Sequence, residues 1–254
     1  MRAVAYTAPL TLELLDVEEP TIPEGEVMVK VAAAGICGSE LEGFANQSPL
    51  IACGRCDLCL RGLSNVCRNR QIIGIQRDGG FAEYVTVPSA NCHLLDASVP
   101  FAEAALIEPL ANSVHAVRLA LGQAPDAGRI GIVGAGMPGV AMTLVAKAMT
   151  GASVTMTDLS ADRLAVAESA GADETGASLI GEFDVVFDGR DVIRNEKRAI
   201  GSFCYTDTDV AVAVPLGGRV RSEWLDLQAL DDGVAAFTRL LETVPTTIKT
   251  VLVP

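Results

Sequence analysis

The chain has 254 residues, half of them hydrophobic and a fifth charged, with a formal net charge of −13 and seven cysteines. That balance excludes a disordered chain, and the acidic excess argues against nucleic acid or an anionic membrane as main partner. No apolar run reaches transmembrane length, and Met1-Arg-Ala-Val-Ala-Tyr6 lacks the plan of a signal peptide, so a cytoplasmic location with reduced thiols is the expectation. The length allows one large domain or two ordinary ones.

The first hundred residues read as β-rich. Ala3 to Tyr6, Leu10 to Leu14 and Val27 to Ala34 are short apolar or alternating runs separated by Pro, Glu and Gly turns. Gly35-Ile-Cys-Gly-Ser-Glu-Leu-Glu-Gly43 follows as a glycine-punctuated loop carrying Cys37 and Ser39. Cys53, Cys56, Cys59 and Cys67 then fall within fifteen residues, spaced C-x2-C-x2-C-x7-C, with Gly54 and Gly62 supplying tight turns. Four thiolates so placed close a tetrahedron around Zn²⁺ and leave no open position for substrate, which makes this a structural zinc lobe. The alternatives are an iron–sulfur cluster or incidental thiols. Gly79-Gly80 turns into a strand ending at Pro88, and Phe101 to Leu121 reads as helical, interrupted at Pro109, carrying Glu108 and His115. In this apolar context His115 reads as a packed, hydrogen-bonded residue, Glu108 as a helix cap or a metal donor, and Cys92 and Cys204 as inert core thiols.

Arg129 to Val140 carries the chain's organising motif. The buried strand Ile130 to Val133 runs into Gly134, Gly136 and Gly139, spaced G-x-G-x-x-G, and then into a helix over Val140 to Met149. The first glycine permits the turn, the second lets backbone approach a pyrophosphate, and the third lets helix pack close to strand. N–H groups opening the helix favour a diphosphate. A second strand, Ala152 to Thr157, ends at Asp158, nineteen residues past Gly139, where a carboxylate bonds ribose hydroxyls and repels a 2′-phosphate. Gly134, Gly136, Met137, Pro138, Gly139 and Asp158 are therefore candidate NAD contacts, and Arg163 is an adenine-side contact or a helix-surface charge. A helix over Ala161 to Ala170 and a strand over Phe183 to Phe187 complete a parallel βαβαβ half. Further on, Ile200 to Tyr205 reads as a strand, Asp231 as the N-cap of an amphipathic helix to Leu241, and Thr247 to Val253 as a closing strand.

Taken together these motifs resemble the zinc-dependent medium-chain dehydrogenase/reductase family, the group of alcohol, sorbitol, butanediol and threonine dehydrogenases. Gly35-Ile-Cys-Gly-Ser39 resembles the family's first catalytic-zinc loop, Cys53 to Cys67 its structural lobe, and Glu108-Pro-Leu-Ala-Asn-Ser-Val-His115 its polyol-type segment. Gly134 to Asp158 matches its coenzyme fingerprint, and Ile248 to Pro254 its last strand. The resemblance implies an α/β plus β architecture: a GroES-like catalytic domain over 1–121 and 217–254, and a Rossmann domain over 122–216. It implies hydride transfer between a secondary alcohol or polyol and NAD, with zinc as a Lewis acid. Cys37 and Glu108 would be catalytic-zinc ligands, Ser39 would begin a proton relay, and the protein would be a homo-dimer or homo-tetramer.

The chain departs from the pattern in two places. The family's Gly-His-Glu segment, which supplies the histidine ligand, is absent: Gly43-Phe-Ala-Asn-Gln-Ser-Pro49 runs almost directly into Cys53, and the only histidines are His93 and His115. A second shortening follows Asp188. Both domains are therefore expected to be incomplete, with apolar sheet faces uncovered. The competing readings are a catalytically silent module that keeps the zinc lobe and dinucleotide cleft, and an NADPH-linked quinone or enoyl reductase, against which Asp158 and the cysteine lobe both speak.

Overall fold

A computed structural model of the chain describes residues 1–8, 11–37, 50–187 and 200–254. In chain order the elements are β1 (Arg2–Ala8), β2 (Thr11–Asp16), β3 (Glu26–Lys30), β4 (Ala34–Gly35), β5 (Leu50–Ile51), α1 (Asp57–Leu60), β6 (Gln71–Ile72), β7 (Tyr84–Pro88), α2 (Phe101–Ala104) and α3 (Ile107–Leu121). They continue with β8 (Arg129–Val133), α4 (Met137–Met149), β9 (Ser153–Thr157), α5 (Ala161–Ser169), β10 (Glu174–Gly176), β11 (Val185–Phe187), α6 (Asp207–Ala213), β12 (Leu225–Ala229), α7 (Gly233–Glu242) and β13 (Lys249–Val253). Among the described residues no helix is long and apolar enough to cross a membrane.

The chain divides into two compact units: Met1–Leu106 with Arg221–Pro245 and Lys249–Pro254, and Ile107–Val220 with Thr246–Ile248. In the first unit β1 and β2 form an antiparallel hairpin, β3 pairs antiparallel with β7, and β5 with β6. The late strands return to this unit, where β13 lies between parallel β12 and antiparallel β4. Val4, Ile36, Leu230, Ala236, Phe237 and Leu252 form its core. Phe81 meets Phe237 edge-on at 5.5 Å, the geometry that aromatic quadrupoles favour. The apolar residues Val27, Met28 and Val29 of β3 are 37–39% exposed.

The second unit is a four-stranded parallel sheet in the order β10-β9-β8-β11. Both faces of β8 and β9 are covered: the interior of β8 is an unbroken non-polar run, whereas β9 alternates Val154 and Met156 with the buried Thr155 and Thr157. Ile130, Ile132, Val154 and Met156 pack with Ala135, Ala146, Ala152 and Ala167. The third strand in sequence is β10, which the sequence pattern does not reveal because Glu174-Thr-Gly176 is short and polar. Phe183 to Phe187 is instead the fourth strand, crossing to the far side of β8.

Other local expectations shift for identifiable reasons. The break in the 101–121 helix falls at Ala105-Leu106 and not at Pro109. Pro109 sits in the first turn of α3, where a missing N–H has no intrahelical acceptor to lose. That helix packs on α4 and α6, which places it in the second unit. Residues 200–205 form no strand, since Cys204 takes φ +51° and a left-handed residue interrupts the pleat. Asp232, and not Asp231, is the N-cap of α7, and it makes no capping bond with its side chain. Asp231 is drawn away into an ion pair with Arg2 at 2.8 Å.

Candidate dinucleotide turn and cysteine lobe

In the second unit, β8 delivers the chain into the glycine turn, and each glycine meets a different demand. Gly134 has φ +95°, a conformation that L side chains rarely adopt. A Cβ on Gly139 would lie 2.0 Å from the Gly134 carbonyl oxygen and 3.4 Å from Ile132 Cγ2, so helix-to-strand packing excludes any side chain there. Gly136, the N-cap of α4, has ordinary φ −76° and ψ −175°. An added Cβ there would meet nothing closer than Pro138 Cδ at 3.9 Å.

The turn opens onto a cavity of about 530 Å³ whose lining includes Gly134, Gly136, Gly139, Asp158, Arg163 and Phe187, a size suited to a cofactor. Asp158 sits at the end of β9. Its Oδ2 accepts from the Ala135 N–H at 2.8 Å and its Oδ1 from the Ser160 N–H at 2.9 Å. Arg163 lines the same cavity. In the same unit, Asp209 of α6 is 1% exposed and accepts from Arg118 at 2.8 Å, from Thr206 N–H and Oγ1 at 2.9 and 2.8 Å, and pairs with His115 Nδ1 at 3.0 Å. His115 is thus a packed, hydrogen-bonded residue. Burial works to raise the Asp209 carboxyl's pKa, but these donors outweigh it and hold the group below the usual range.

In the first unit the four lobe cysteines lie with their sulfurs all within 4.8 Å of one another. Cys56 Sγ stands 3.5 Å from Cys59 Sγ and 3.9 Å from Cys67 Sγ. A ZnS₄ tetrahedron with bonds of about 2.3 Å has edges of about 3.8 Å, so the set fits zinc. N–H groups of Arg55 and Cys56 aim at Cys53 and bring its thiol down to about 6. Partial burial, and then hydrogen bonds with the neighbouring thiols, push Cys59 up to about 12.

The remaining candidates are distributed between the units. Cys37 follows β4 in the first unit and is half-buried. Glu108 is the second residue of α3 in the second unit, with Oε1 accepting from Asn112 Nδ2 at 2.7 Å. Ser39 lies outside the described residues. Among those residues the lobe is the only cluster of three or more metal-ligating groups. Cys92, expected in the core, is exposed, because it follows a short 3₁₀ turn over Ser89–Asn91 at the surface; Cys204 is buried.

The described elements form a GroES-like part, carrying a cysteine lobe that fits zinc, and a Rossmann-type part. Residues 44–97 match the alcohol dehydrogenase GroES-like domain. The chain is 33% identical over 201 residues to galactitol 1-phosphate 5-dehydrogenase of Escherichia coli K12, covering 64% of this chain and 58% of that one. It is likewise 33% identical over 201 residues to L-threonine 3-dehydrogenase of Streptomyces coelicolor, covering 63% and 58%. The structure of acetophenone reductase from Geotrichum candidum in complex with NAD superposes with a TM-score of 0.80 at 23% identity, covering 100% of this chain and 97% of that one. The chain is thus similar, in its GroES-like domain match, its curated relatives and its fold, to zinc-dependent medium-chain dehydrogenases. Its matches span under two thirds of the length of the curated relatives.

Proposed function

We propose that the chain is an oxidoreductase passing a hydride between a secondary alcohol or polyol and NAD, with zinc as its metal. Gly136 carries the reading. Neither its backbone angles nor its packing demands glycine, so what the missing side chain provides is room for a pyrophosphate over the start of α4. The first-turn N–H groups of Met137 and Gly139 have no intrahelical acceptor and would hold the diphosphate with the help of the helix dipole. Pro138 between them offers no N–H and fixes the turn. Asp158 on the cavity wall favours a free 2′-hydroxyl over a phosphate, hence NAD over NADP. Bound NAD⁺ supplies the hydride acceptor.

Cys53, Cys56, Cys59 and Cys67 would hold a structural zinc. Cys37 and Glu108 are the donors assigned to a catalytic zinc, with Ser39 at the start of a proton relay. They are two donors where such a site takes three. The names of the two curated relatives, a sugar-alcohol phosphate dehydrogenase and a threonine dehydrogenase, support the secondary-alcohol class. A homo-dimer or homo-tetramer belongs to the same proposal. The test is NADH formation from a panel of secondary alcohols and polyols, with and without added Zn²⁺, beside a zinc count by native mass spectrometry. Turnover supports the proposal. A folded, zinc-replete protein that binds NAD with one zinc per chain and no turnover would instead be a silent binding module.

A further inference from the structure

Asp158 has both carboxylate oxygens engaged by main chain before any ligand arrives. One holds the N–H of Ala135, the fully buried residue at the centre of the glycine turn. The other holds the N–H of Ser160, whose Oγ accepts from the Arg163 N–H at 3.4 Å to cap α5. The turn's other anchor is the Gly134 N–H on the Thr157 carbonyl at 2.7 Å. One side chain therefore ties together two loops that line the cavity. A carboxylate has about four lone-pair sites, so two remain for ribose hydroxyls.

We propose that Asp158 is a positioning residue for the phosphate-binding turn, acting through Ala135, as well as the residue that faces the ribose. The inference rests on reading the cavity as a dinucleotide site. Without the Asp158 acceptor, the buried Ala135 N–H loses its partner, and the turn relaxes toward conformations that reorient Gly134 and Gly136. A substitution at 158 meant only to admit a 2′-phosphate would then loosen the grip on the pyrophosphate as well.

Coulomb's law gives this proposal a distinctive sign. Removing a negative charge beside a diphosphate would by itself raise affinity, so a fall on removal reports lost turn geometry. The test compares Asp158→Ala and Asp158→Asn with the unaltered chain in two measurements. The first is amide exchange in the ligand-free protein. Asp158→Ala should speed exchange at Ala135 and Ser160 by about tenfold or more, while Asp158→Asn, keeping one acceptor oxygen, restores protection at one of the two. The second is calorimetric titration with NAD⁺ and with its 2′,3′-dideoxyadenosine analogue, which lacks the hydroxyls that the carboxylate would bond. Asp158→Ala should weaken binding of the analogue by about fivefold or more. Weakened NAD⁺ binding with unchanged analogue binding and unchanged amide protection would overturn the proposal. If the unaltered chain binds neither ligand while Asp158→Ala still frees the two amides, the dinucleotide reading fails and the clamp stands. Should Asp158→Ala not fold, Asp158→Asn carries both measurements: loss of protection at one of the two amides upholds the clamp, and full protection at both refutes it.

Discussion

Replacing Gly136 and Gly139 separately by alanine divides the glycine motif into its physical parts. In Gly139→Ala the new Cβ would sit 2.0 Å from the Gly134 carbonyl oxygen and 3.1 Å from its carbon. That oxygen is backbone, and the same residue's N–H is held on Thr157 at 2.7 Å, so relief requires moving α4 away from β8. Overpacking of a close-packed core costs about 1–3 kcal/mol, and a backbone neighbour puts this site at the top of that range. The alanine's helix propensity returns about 1 kcal/mol, leaving a net loss of about 2 kcal/mol. At roughly 2–4 °C per kcal/mol for a chain of this size, the melting temperature should fall by about 4–8 °C.

Gly136→Ala should behave differently. Its Cβ finds only Pro138 Cδ, at 3.9 Å. The lower entropy of the unfolded chain contributes about 0.4–1 kcal/mol and the poorer N-cap costs a similar amount, so stability should stay within about 0.5 kcal/mol. Affinity for NAD⁺ should nevertheless drop about tenfold or more, equivalent to about 1.4 kcal/mol. Thermal unfolding and calorimetric titration of both variants decide the matter. A stable Gly136→Ala that binds NAD⁺ as tightly as the unaltered chain would refute the claim that the turn receives a pyrophosphate.

Three further outcomes follow from the geometry. Asp209→Asn should destabilise the protein by about 2–3 kcal/mol at neutral pH, because a fully buried acceptor of four donors loses its charge. Since the folded carboxyl titrates below its ordinary value, its contribution is complete above about pH 4 and disappears as pH falls through the folded pKa; urea unfolding across that window should show the variant's acid limb flattened. Gly233→Ala keeps a helical backbone but places Cβ 2.8 Å from Val4 Cγ2 and 3.3 Å from Leu252 Cδ1. Overpacking and helix propensity then leave a net loss of about 1 kcal/mol, read as a lower urea midpoint with unchanged m-value. Chelation should remove zinc from the cysteine lobe and lower the melting temperature, with recovery on adding Zn²⁺. Cys59→Ser should abolish that recovery.

The parts of this molecule that were readable in its sequence are those where one residue type answers one local demand. The cysteine spacing belongs here, because a C-x2-C-x2-C turn puts its sulfurs together with little help from the rest of the chain. The glycine turn belongs here too, since Gly134 must take a positive φ and Gly139 must have no Cβ. What stayed hidden depends on partners distant in the chain. The strand β10 is too short and polar to show in its own three residues and exists because β9 offers it an open edge. The residues Leu225 to Ala229 form a strand because β13 lies alongside, although Leu227 is 48% exposed. Asp231 carries a helix-capping side chain, yet Arg2, at the other end of the chain, takes it.

The same distinction bears on the candidate chemistry. Asp158 looks from its spacing like a ribose contact and nothing else, because sequence spacing places a carboxylate at a strand end without saying what its two oxygens already hold. In the folded chain they hold Ala135 and Ser160. A residue that both faces a ligand and supports the backbone around it cannot be exchanged for specificity alone. Removing it changes what the cavity repels and how well the cavity is formed, and those two effects on a dinucleotide have opposite signs when the ligand is a diphosphate. Altered cofactor preference at this position would therefore depend on supplying the lost acceptor for Ala135 from elsewhere, with Asp158→Asn the smallest change that keeps one of the two bonds.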